Sequence, residues 1–168
     1  MNEMLLQDVL DHVRNRFYGK YRGTVTDVDA ATMRIKANVP AVLPGAPTGW
    51  CAPCVPYAGP QVGFLMLPEV GSGVWIEFEG GDVSFPIWTG CYWSAGDVPS
   101  SAAADVKSIV TTAGTLSFDN GGDSVTLAGS AQNTVVLDSS GATVTAGAGK
   151  IEVGASGVSV NSGALEVM

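Results

Sequence analysis

Two different hydrophobic rhythms divide the chain. From Glu3 to Phe17 the apolar residues Leu6, Val9, Leu10, Val13 and Phe17 recur at spacings of three and four, which predicts one short amphipathic helix closed by Gly19. Its stripe is expected to pack on its own domain or on a neighbouring copy. After Tyr21 the period becomes two. Met33, Ile35, Ala37 and Val39 alternate with Arg34, Lys36 and Asn38, and Val74, Ile76 and Phe78 alternate with Trp75, Glu77 and Glu79. Further strands are expected at Gly23 to Val28, Cys54 to Tyr57, Gly63 to Leu67 and Pro86 to Tyr92, separated by Gly- and Pro-rich turns. Five or six short strands in so small a region fit a closed barrel, because closure removes exposed edges.

Beyond Thr112 the sequence becomes a string of apolar-polar-apolar triplets. These are Leu116-Ser117-Phe118, Val125-Thr126-Leu127, Val135-Val136-Leu137, Val144 between two threonines, Ile151-Glu152-Val153, Val158-Ser159-Val160 and Leu165-Glu166-Val167. The last four start at an interval of seven residues, yet Gly147, Gly149, Gly154, Gly157 and Gly163 fall among them and oppose a coiled coil. Strand and turn therefore alternate. Seven triplets offer too little apolar surface for a core within one chain, but three chains closing a prism would bury them all, over roughly 35 Å at about 4.8 Å per strand. Outward positions are Ser, Thr, Asp and Glu, a polar surface without a pocket.

Composition sharpens the boundary. Of thirteen aromatic residues, only Phe118 lies beyond Trp93. The stretch SAGDVPSSAAAD reads as a linker, so the expected division is a helix over 1–17, a barrel over 18–93, a linker over 94–111 and the triplet region over 112–168. The formal net charge of -8 argues against a nucleic-acid partner, whose phosphates demand cations. No apolar run is long enough to span a membrane, and acids interrupt the N-terminus where a signal peptide needs an apolar core, so a soluble protein made in its producer's cytoplasm is expected.

Candidate chemistry is sparse. Cys51 and Cys54 have the spacing of a metal or redox pair, but zinc needs about four ligands and the single histidine, His12, is remote. Three cysteines read as reduced thiols in packed strands. Glu77 and Glu79 on one strand face, with Asp82 in the following turn, could supply a glycosidase pair, against the simpler reading of a solvated strand face. Trp75, Trp88 and Trp93 could stack bases or sugars, although acids surround them.

Residues 18–93 resemble the oligosaccharide/oligonucleotide-binding (OB) barrel of the contractile-phage baseplate assembly protein V, or central spike, family, also found in VgrG proteins of type VI secretion systems. The resemblance rests on Gly19-Lys20-Tyr21-Arg22-Gly23-Thr24-Val25, on WCAPCVPYAGPQVG from Trp50, on the run from Leu67 to Asp82, and on Pro86-Ile87-Trp88-Thr89-Gly90. The triplets look like the family's C-terminal needle. The implied fold is all-β: a short helix, an OB barrel and a triple-stranded intertwined β-helix in a homotrimer. The expected trimer core is Leu116, Phe118, Val125, Leu127, Val135, Leu137, Val144, Ile151, Val153, Val158, Val160, Leu165 and Val167.

The resemblance implies the central spike of a contractile injection machine, in a virion tail baseplate or injection particle, joining hub to tip and piercing the target cell envelope. Alternatives are a carbohydrate- or nucleic-acid-binding OB module and a cell-wall-degrading enzyme. Larger spike relatives insert a lysozyme-like domain where this chain has only the linker, so no catalytic activity is expected. Relatives whose tip holds iron use a His-x-His motif, and no histidine follows His12. No cofactor is expected, and a separate PAAR-like tip protein would sit on Leu165, Val167 and Met168. VgrG proteins fuse a hub ahead of the barrel; here the hub is expected to be another chain.

Overall fold

The computed structural model describes Gln7, Val9, Leu10, Val13 and residues 15–167. The chain divides into two compact units, Met1–Asp97 and Val98–Met168.

In the first unit the strands are β1 (Tyr21–Asp29), β2 (Arg34–Asn38), β3 (Ala52–Pro53), β4 (Ala58–Gly59), β5 (Val62–Gly63), β6 (Gly73–Phe78) and β7 (Pro86–Tyr92). Alternation decides their faces. Ile35 and Ala37 of β2 and Val74, Ile76 and Phe78 of β6 point inward, and with Val25, Val39, Cys51 and Trp88 they form the core. The sheet order is β2-β1-β6-β7-β3, and an antiparallel bridge between Ile35 and Cys51 brings the last strand back to the first. Register shifts within β1 and β6 supply the bends that such curling needs. The result is the expected OB-type barrel.

Two of the expected strands differ. Residues 54–57 lie between β3 and β4, and of Gly63 to Leu67 only Gly63 pairs. Pro56, Pro60 and Pro68 lack the N–H that a ladder requires, so the stretch after β3 forms only the two-stranded hairpin β4–β5.

Most of the expected helix over Glu3 to Phe17, with Leu6 and His12, lies outside the described residues. Gln7, Val9, Leu10 and Val13 are helical, but Asn15 is a turn and Arg16 to Tyr18 are not helical. Val9, Leu10 and Val13 are exposed, so among the described stripe residues only Phe17 packs against the barrel core. Its backbone N–H donates to Gly81 O at 2.8 Å, and Arg16 pairs with Asp82 at 3.2 Å.

The second unit is one antiparallel meander in which each strand pairs with the next. Its strands are β8 (Val106–Val110), β9 (Gly114–Asp119), β10 (Ser124–Gly129), β11 (Thr134–Asp138), β12 (Gly141–Ala146), β13 (Gly149–Gly154), β14 (Gly157–Val160) and β15 (Leu165–Val167). The expected linker therefore ends before Val106, because Val106 to Val110 pairs residue by residue with β9. Eight strands rather than seven extend the sheet to about 38 Å along its stacking direction. Short side chains hold the turns: Asp119 Oδ1 accepts from the N–H groups of Gly121 and Gly122, and Asp138 Oδ1 from that of Ser140.

Candidate assembly surface

Directly opposed residues in an antiparallel ladder share a face. Followed through the meander, the pairing builds two rows on one side of the second unit. The first runs Ile109, Leu116, Leu127, Val135, Val144, Ile151, Val160 and Leu165. The second runs Lys107, Phe118, Val125, Leu137, Ala142, Val153, Val158 and Val167. All thirteen residues expected in the core fall on these two rows. Between them, on the opposite face, runs Ser108, Ser117, Thr126, Val136, Thr143, Glu152, Ser159 and Glu166. Val136 is the one apolar member of that row.

A single chain leaves the apolar face in water. Leu127 is 55 % exposed and Leu165 59 %, and Phe118, Val135, Leu137, Val144, Ile151 and Val153 are also exposed. Covering such a face needs another layer, since a sheet is stabilised by burying one side. The polar face needs no cover; on it Lys150 and Glu152 form an exposed ion pair at 2.6 Å. The triplets revealed most of the rows. Ile109 escaped because the linker composition around it masked a strand, and Ala142 because a small residue carries little hydrophobic signal. Met168, expected at the tip, lies outside the described residues.

Turn geometry keeps the rows in register. At Gly141 φ is +137°, and a Cβ there would lie 2.0 Å from Val153 O. Only glycine lets β12 approach β13 this closely.

The other candidates are occupied differently. Glu77 Oε1 accepts from Lys20 Nζ at 2.6 Å, while Asp82 Oδ1 accepts the Ser84 N–H and its Oδ2 meets Arg16. Those contacts, led by Ser84, hold the Asp82 carboxyl below its usual pKa, as befits a turn-capping anion. Trp88 is buried, with Nε1 donating to Met33 O at 3.3 Å, and Trp75 lies beneath the Arg22 guanidinium and beside Tyr92. Of the three tryptophans considered for stacking ligands, only Trp93 presents an open face; it is 67 % exposed. Cys51 is buried 3.2 Å from Thr48 Oγ1, whereas Cys54 and Cys91 are exposed. Burial pushes the Cys51 thiol pKa up. Among the described residues, no three or more metal-ligating side chains gather.

Two family profiles match consecutive parts of the chain. Residues 21–93 match the type VI secretion system/phage-baseplate injector OB domain, and residues 107–166 the phage baseplate V C-terminal trimerisation domain. The chain belongs to the baseplate V family. No curated protein matches it. In this baseplate V protein the matched OB domain coincides with the curled barrel, and the trimerisation domain opens at Lys107, inside β8. Baseplate V proteins are spike-type components of phage tails or injection particles, from a structural family, and the C-terminal domain makes this one a homotrimer. The matched trimerisation domain spans the strands that carry the two-row apolar face.

Proposed function

We propose that three copies form the central spike of a contractile injection machine, with both apolar rows turned to a shared dry axis and the Ser/Thr/Glu row turned to water. The carrying observation is the first row, apolar on all eight consecutive strands of one chain and including Leu127, Val144 and Ile151, beside a second row that is apolar after Lys107. Within each chain the backbone hydrogen bonds of the interior strands are already made to sequence neighbours, so association is left to side-chain burial. Rigidity is what a piercing part needs, and a closed prism of stacked strands resists bending because deformation strains every ladder at once.

In this reading the spike works without catalysis or cofactor, joins a separate hub to the tip, and crosses the target envelope when the sheath contracts. Leu165, Val167 and Met168 end the last repeat, and three such ends make an apolar platform suited to a PAAR-like tip protein. The test is in the assembled particle. Particles carrying Val158→Asp should fail to deliver their payload while sheath and tube still form. Normal delivery by particles containing this variant would overturn the spike reading.

A further inference from the structure

The first unit carries an apolar surface that its own core does not use. The hairpin β4–β5 is mounted on the barrel by Val55 on one side and Leu67 on the other, both packed against the core. Between these anchors Tyr57, Val62, Phe64, Leu65 and Met66 face solvent, with Leu65 74 % exposed. The element is well formed. Ala58 pairs with Gly63 and Gly59 with Val62, the Phe64 N–H donates to Tyr57 O at 2.8 Å, and the turn is Pro60-Gln61 with a left-handed Gln61 at φ +62°. Docking such a prebuilt hairpin costs little ordering entropy, unlike docking a loose loop.

We infer that this hairpin is a second contact between copies: in the trimer, the hairpins of the three barrels pack on one another. Two features favour a copy of the same chain as the occupant. First, residues 55–68 contain no charged side chain, in a chain whose net charge is -8. Acidic copies repel over most of their surface, and this is a place where they can meet without opposing carboxylates. Second, the first unit ends at Asp97 where the trimerising unit begins at Val98, so trimerisation of one raises the others to effective concentrations on the order of millimolar. At that concentration even a modest apolar patch stays occupied.

The test uses the full chain with Cys54→Ser and Cys91→Ser, leaving the buried Cys51, and adds Leu65→Cys. A short bis-maleimide should join the introduced thiols in pairs within each trimer, with a yield unchanged on dilution, while Thr32→Cys in the same background gives no pairs. In parallel, Leu65→Asp should lower the first melting transition by roughly 5 °C or more, although an exposed site on a lone barrel would tolerate it. Trimers of the Leu65→Cys variant that give no cross-linked pairs would overturn the inference whatever the melt of Leu65→Asp, as would an unchanged melt, and either would leave the C-terminal trimer standing and free the hairpin for a different protein. Monomers in sedimentation would overturn both.

Discussion

Leu127 and Thr126 are neighbours on β10, and the ladder sends them to opposite faces of the meander. Replacing each by aspartate asks the same strand the same question from both sides. Full burial of a leucine side chain contributes about 2 kcal/mol, and Leu127 is 55 % exposed in the single chain, so about 1 kcal/mol per copy awaits the trimer. Three copies then contribute about 3 kcal/mol from this one layer. Leu127→Asp removes that and places three carboxylates in a dry interior without counterions, where each costs several kcal/mol even after protonation adjusts. The total is on the order of 10 kcal/mol per trimer, or about seven powers of ten in the association constant. Thr126→Asp, facing water, should change stability by about 0.5 kcal/mol or less per chain. Sedimentation at micromolar concentration should give wild type and Thr126→Asp at three times the 17.2 kDa chain mass, and Leu127→Asp as monomer. If Thr126→Asp dissociates the trimer and Leu127→Asp does not, the faces are reversed. If both remain trimers with equal melting temperatures, the apolar rows are not the interface.

Val158→Asp should dissociate the trimer in the same way, while Glu152→Gln loses only an exposed ion pair and should shift the melting temperature little, checked by calorimetry on both. Gly141→Ala forces a Cβ to within 2.0 Å of Val153 O at a positive φ and should cost about 3 kcal/mol or more per chain; Gly147→Ala, with open space around it, should cost about 1 kcal/mol, read from denaturant melts. A chain truncated after Ser162 should fail to retain a co-expressed PAAR-like protein that the full chain captures, and equal recovery would remove Leu165 to Met168 as the docking end. At neutral pH, alkylation followed by mass spectrometry should modify exposed Cys54 and spare Cys51, whose buried thiol stays protonated until unfolding.

Much of the architecture follows from sequence alone because a two-residue period is a statement about faces. Once Val125-Thr126-Leu127 and its counterparts are strands, their outer residues must share a side, whatever they pair with. The same logic put Ile35, Ala37, Val74 and Ile76 inside the barrel before any partner was known. Pairing itself depends on the whole chain. That β8 opens the sheet, that Ile109 and Ala142 complete the rows, and that residues 54–57 form no strand of their own follow from which N–H and C=O groups find one another in space. Prolines and neighbouring strands decide that jointly. The closure of the barrel through Ile35 and Cys51, the Arg22 guanidinium over Trp75 and the burial of Trp88 likewise join residues distant in sequence. Local pattern specified which side of each strand avoids water, since that depends only on side-chain spacing; long-range pairing specified what each side meets.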